Sequence, residues 1–119
     1  MHLDHTIVPS HDKVASAKFF AHIMGLQFGG LHGPFAVVNV DDQLSMDFDD
    51  RRPVTHHHYA FRVSDTEFDE VFSRVKKEGL QYGSGPGVDR HNMQINHRNG
   101  GRGVYFDDPS GHSIEILTC

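Results

Sequence analysis

Apolar and polar positions along the chain follow one order and then repeat it. Residues 3–9 (Leu-Asp-His-Thr-Ile-Val-Pro) read as a strand, and Val14, Ala17, Ala21 and Met24 then recur at helical spacing. Segments 26–31, 34–40 and 43–48 return to strand patterning. The order restarts with a strand at 57–63, a helix with Phe68, Val71, Phe72 and Val75 on one face, and strands at 80–83, 102–107 and 112–118. Ser10 is the expected N-cap of the first helix over 11–24, with Gly25 ending it. Ser64-Asp65-Thr66-Glu67 is a capping box for the second, which Gly79 ends at the same interval. Asp41-Asp42 and Asp108-Pro109-Ser110-Gly111 supply turns. Each half is therefore strand–helix–strand–strand–strand. The expected fold is α+β: two pseudo-symmetric βαβββ modules in one domain spanning 1–119, module 1 about 1–50 and module 2 about 55–119, forming a cupped mixed β-sheet with helices on the outer face. The seam between such halves is where a site is expected.

Strand alternation sorts the side chains. Tyr59, Phe61 and Val63 oppose His58, Ala60 and Arg62; Leu44, Met46 and Phe48 oppose Ser45 and Asp47; Ile114, Ile116 and Thr118 oppose Ser113, Glu115 and Leu117. The apolar sets belong against the helices and the others on the concave face. Glu115 stands between two isoleucines, where a carboxylate must be paired, protonated or metal-bound. Residues 83–101 form a long Gly-, Asn- and Arg-rich connection, the kind of loop that serves function and is read here as a lid.

Composition narrows the classes. A formal net charge of -5 argues against a nucleic-acid partner, and no apolar run is long enough to span a membrane. The single cysteine, Cys119, forms no internal disulfide, and the N-terminus lacks a signal-peptide pattern, so a cytoplasmic setting is expected. A hydrophobic fraction of 37% with 12 glycines fits a sheet protein that completes its burial as a homodimer. Histidine is over-represented, with 11 in 119 residues; His2, His11, His22 and His32 read as solvated surface residues.

His5 and His58 hold matching places on the first strands of the two halves, and Glu115 lies on the last strand. Two histidines and a carboxylate with open coordination positions suit a divalent metal. The same residues equally suit a plain reading, with both histidines hydrogen-bonded in the sheet and Glu115 paired with Arg62 or Arg102. His57 points away from His58 and reads as structural or exposed; His56 shares its face and is a candidate ligand or substrate contact.

Three segments break the tie. Leu3-Asp4-His5-Thr6-Ile7-Val8, His58-Tyr59-Ala60-Phe61-Arg62-Val63, and Val104-Tyr105-Phe106-Asp107-Asp108-Pro109-Ser110-Gly111-His112-Ser113-Ile114-Glu115 resemble the vicinal oxygen chelate superfamily, the glyoxalase, bleomycin-resistance and extradiol-dioxygenase group. The resemblance covers essentially the whole chain. It implies a divalent metal ion (Fe, Mn, Zn or Ni) held by His5, His58 and Glu115, a small-molecule substrate chelated through adjacent oxygens, and a dimer.

The branches of that superfamily differ at residues that can be compared one by one. Extradiol dioxygenases place a tyrosine ten residues before the glutamate, where Tyr105 stands, and Asp89-Arg90-His91-Asn92 is similar to the stretch preceding it. Their acid–base histidine near the fourth strand is missing here, which leaves His56, His91 or His97 to move a proton. Fosfomycin-modifying transferases have a threonine where Ile7 stands. A glyoxalase-type lyase would use Asp47 as an extra ligand, and a drug-sequestering relative would bind without chemistry. Arg62, Arg98 and Arg102 are candidates to hold an anionic substrate. The expected function is metal-dependent chemistry most like that of a small extradiol-dioxygenase-type protein, with Tyr105, His91 and His97 as catalytic residues.

Overall fold

The computed structural model describes residues 1–119. The chain forms two compact units, Met1–Thr55 and His56–Cys119. The first holds β1 (His5–Pro9), α1 (Lys13–Met24), β2 (Phe28–His32), β3 (Phe35–Asn39) and β4 (Ser45–Asp49). The second holds β5 (His58–Arg62), α2 (Asp65–Lys77), β6 (Tyr82–Gly83), β7 (Gly103–Asp107) and β8 (Ser113–Leu117). Each unit carries one helix and a four-stranded mixed sheet, in the orders β1-β4-β3-β2 and β5-β8-β7-β6. The first strand runs parallel to the last, and the remaining neighbours are antiparallel. The α+β reading and the βαβββ repeat therefore hold, element for element.

One start signal was misplaced. Asp12, not Ser10, caps α1: its carboxylate accepts the Ala15 amide at 3.1 Å. Ser10 is buried and its hydroxyl donates to the Val8 carbonyl at 3.2 Å, so it closes the strand instead of opening the helix. The capping box of α2 forms as read, with Ser64 accepting from the Glu67 amide and Glu67 accepting from the Ser64 amide.

Burial follows alternation. In the first unit Val8, Met46, Phe48, Ala36 and Val38 leave one face of the sheet, and Phe20 of α1 meets Phe48 with ring centroids 5.9 Å apart. In the second, Val104, Phe106, Ile114 and Ile116 are buried with Phe68, Val71 and Val75 of α2. Phe72 meets Tyr82 of β6 edge to face at 5.0 Å. The opposite faces hold the polar groups, mixed with Ile7 and Val37 in the first unit and with Ala60 and Leu117 in the second.

Candidate functional site

Register places the polar residues of the second unit in rows. His58 lies opposite Ser113, which lies opposite Asp107; Ala60 lies opposite Glu115, which lies opposite Tyr105. Directly paired residues project to the same side of a sheet. One face of this sheet thus carries His58, Arg62, Glu115, Tyr105 and Asp107.

Two of the three expected ligands meet there. His58 Nε2 lies 2.9 Å from Glu115 Oε1, and since an ionised carboxylate only accepts, the imidazole is the donor. Glu115 is 7% exposed, while His58 opens to solvent. The pairing with Arg62 or Arg102 does not form. Arg102 instead reaches α2, donating to Asp69 at 2.7 Å and Asp65 at 3.0 Å, with its guanidinium 4.4 Å from the Phe68 ring centroid. It locks helix to sheet and is not available to hold a substrate. Arg62 is exposed on the face of His58.

Tyr105 is buried beside the pair, its ring 5.6 Å from that of His58. Arg98 Nη1 donates to the Tyr105 hydroxyl at 2.7 Å. Burial pushes the phenol up from its ordinary value; Arg98 pulls it down and Glu115 pushes it up again.

The 83–101 segment is tied down. Asn92 and Ser84 exchange bonds at 2.8 and 3.1 Å, Asn96 and Arg98 both donate to the Ser84 carbonyl, and Asn96 bridges to Gly103. A Cβ on Gly83 would collide with the carbonyls of Asp89 and Arg90, so the loop lies back on β6 only because that position has no side chain. The loop histidines differ. His91 Nε2 sits 3.0 Å from the Asp107 carboxylate at the end of the polar face, whereas exposed His97 is 3.2 Å from the Gly101 carbonyl, closing its own turn.

His56 and His57 pack on a buried histidine that the sequence reading passed over. His112 is fully buried; its Nδ1 accepts the His57 amide at 3.0 Å, which fixes the proton on Nε2 if the ring is neutral. The His57 ring stacks on it at 5.6 Å and His56 stands edge-on at 6.5 Å, against Gly111. Asp108 closes the turn, accepting the amides of Ser110 and His112, and burial pushes its carboxyl up. Only the apolar surroundings of the Asp-Pro-Ser-Gly-His turn announced this cluster, and it serves the turn.

In the first unit His5 lies opposite Ser45 and Ile7 opposite Asp47, the same register offset as His58/Ser113 and Ala60/Glu115. His5 Nδ1 is bonded to the Asp4 carboxylate at 2.7 Å, which raises its pKa and leaves Nε2 without a share in that bond. Asp47 accepts from the Ser45 hydroxyl at 2.8 Å. Neither unit alone gathers three His, Cys, Asp or Glu side chains in a metal-holding arrangement.

The donor set nevertheless fits a metal. Two ligands at right angles around an ion at ~2.1 Å stand ~3 Å apart, the separation His58 and Glu115 already have. A histidine whose Nδ1 is held by a carboxylate, as in His5, is the usual form of a ligand that binds through Nε2.

The chain carries two βαβββ units, the second with a His–carboxylate pair on a strand face. The chain belongs to the glyoxalase/bleomycin resistance protein/dioxygenase superfamily, which it matches over residues 2–116. Members of that superfamily generally use divalent metals and bind small molecules. Among solved structures, it is 50% identical to Oxidase ChaP-H1 (TM-score 0.94, covering 100% of this chain and 96% of that one). It is 48% identical to Oxidase ChaP-H2 (TM-score 0.94, covering 100% and 94%). Lactoylglutathione lyase from Agrobacterium tumefaciens shares the fold at 20% identity (TM-score 0.72, covering 96% and 90%). No helix is long and apolar enough to cross a membrane.

Proposed function

We propose that this chain is a divalent-metal-dependent oxidoreductase acting on a small substrate bound through adjacent oxygens. His58 and Glu115 supply two ligands, and His5 is the third that the family resemblance implies. The observation that carries the reading is the 2.9 Å approach of His58 to a nearly buried Glu115 on the sheet face that also bears Tyr105 and Asp107. Full-length identity of 48–50% to two proteins named as oxidases favours oxidation over the lyase reaction of the more distant relative.

A bound metal supplies a Lewis acid for the substrate oxygens and open positions for a second reactant. The chain's own residues do the rest. Tyr105, buried and facing Glu115, offers the second lone pair of its phenol oxygen to a substrate hydroxyl. The His91–Asp107 pair holds a proton-accepting imidazole at the margin of the same face, with Asp107 orienting the ring. His97 is bonded to its own turn, so His91 is the better candidate for proton transfer.

The test is metal analysis of tag-free protein beside Ala variants of His5, His58 and Glu115, followed by oxygen-uptake assays with catechols and related vicinal diols. Near-stoichiometric iron or manganese, lost in all three variants, is the expected result. Protein that takes up no metal after reconstitution with each ion would leave a ligand-binding protein as the better reading.

A further inference from the structure

We propose that Arg98 is a positioning residue that commits the Tyr105 hydroxyl to donate toward Glu115, forming a directed chain Arg98 → Tyr105 → Glu115. This deepens the reading of Glu115 as a metal ligand and rests on it. A guanidinium can only donate, and Arg98 Nη1 donates to the Tyr105 oxygen at 2.7 Å. With its oxygen engaged as acceptor, the phenol must send its own proton elsewhere. Tyr105 is 3% exposed, so water is a poor recipient, and its direct cross-strand partner is Glu115. Glu115 thus accepts one hydrogen bond from Tyr105 and, before any metal arrives, one from His58.

The loop is built to aim this arginine. Asn96 Oδ1 accepts the Arg98 amide at 3.2 Å, and the Ser84 carbonyl takes Nη2 at 3.1 Å. Asn99 then turns the chain in the left-handed region at φ 55°, so the arginine sits at the start of a tight reversal. Two donors on one guanidinium, one to the loop and one to Tyr105, fix both the loop and the polarity of the bond. The function of the 83–101 segment on this view is to deliver Arg98, a role for which tethering is needed and opening is not.

The chain predicts a carboxylate oriented and charge-stabilised from behind, and such outer partners are worth 10–100-fold in metal affinity. Cobalt(II) titrations, followed by visible absorption, are made on wild type, Arg98→Met, Tyr105→Phe, the double variant and Arg98→Lys. Each single variant is expected to weaken Co(II) binding about 10-fold and to shift the Co(II) bands. The double variant should be no weaker than the worse single, and Arg98→Lys should recover part of the loss. Additive losses, or an Arg98→Met protein that binds Co(II) like wild type, would overturn the chain. If Arg98→Met does not fold by circular dichroism, Tyr105→Phe against Arg98→Lys decides: wild-type affinity in Tyr105→Phe refutes it. Glu115→Gln separates the two readings. Undiminished Co(II) binding in that variant defeats the ligand assignment itself, whereas its loss with an unaffected Tyr105→Phe defeats only the present inference.

Discussion

The two units place the same residue types at the same register and finish them differently. In the second, His58 and Glu115 close on each other, with Tyr105 beyond the carboxylate on the next strand. In the first, His5 turns to its neighbour Asp4, Asp47 to Ser45, and the place matching Tyr105 holds Val37. The connections differ too: β2 and β3 are joined by a short turn through Gly33, while β6 and β7 are separated by the long loop that brings His91 and Arg98. A repeat thus keeps its backbone while one copy acquires a surrounding shell of polar partners. Glu115 is set among fixed groups, and Asp47 is not.

The largest expected effect breaks that asymmetry or establishes it. Glu115→Gln removes the carboxylate charge and should lower metal affinity by more than about 100-fold, since losing a ligand exceeds the cost of losing an outer partner. Asp47→Asn should lower it by about 10-fold or less. Isothermal titration with Mn(II) or Zn(II) measures both. Equal losses would make the units equivalent and give Asp47 the full standing of a ligand, as the lyase reading requires.

Next in size is the core. Phe48 and Phe106 hold corresponding depths, at 1% and 2% exposure. Truncating either to Ala should cost about 3–5 kcal/mol by urea denaturation, from lost burial plus an unfilled cavity. They lie on non-equivalent strands, β4 and β7, so a difference between them of more than about 2 kcal/mol would show which site relaxes less around the cavity.

Asp49 and Leu117 are a further matched pair, two residues beyond Asp47 and Glu115 on their strands. Asp49 is fully buried, accepting from Arg51 at 2.9 Å and Arg52 at 3.0 Å, and the Arg51 guanidinium holds its carboxyl well below the usual carboxylate range. Because the folded pKa is depressed, its stabilising effect is fully present above the unfolded value of about 3.9 and fades as pH falls below it. Asp49→Asn should therefore melt below wild type at pH 7, with the gap narrowing under about pH 4. A gap that is constant with pH would mean the arginines contribute through packing alone.

These contrasts show what a single chain discloses before folding. Alternation placed His58, Glu115 and Asp47 on polar faces because period-two patterning survives in any sheet. Glu115 stood out because a carboxylate between isoleucines needs a partner. Asp4 was adjacent to His5 all along, but a carboxylate beside a histidine is common and its orientation is a matter of side-chain rotamers. Arg98 and Asp107 were less accessible still. Their partners, Tyr105 and His91, are set by how a Gly-rich loop folds back on β6, and no hydrophobic period marks that path. The mistaken cap has the same origin, since Ser10 and Asp12 are both good N-cap residues and tertiary burial decided between them.

The smallest effect compares the two helix starts. α2 begins with a reciprocal capping box, Ser64 with Glu67, while α1 begins with Asp12 accepting a single amide. Replacing Ser64 by Ala removes one bond and loosens its reciprocal partner; replacing Asp12 by Ala removes one bond and a negative charge at the positive end of α1. Each should cost about 1 kcal/mol. The carboxylate at α1 makes its contribution sensitive to salt, whereas the Ser64 hydroxyl carries no charge. Thermal melts of both variants at low and high salt separate the cases: the Asp12→Ala deficit should shrink with salt and the Ser64→Ala deficit should change less. A Ser64→Ala deficit with the same salt sensitivity would mean that Glu67, through its charge at the helix start, carries the α2 cap more than the hydroxyl does.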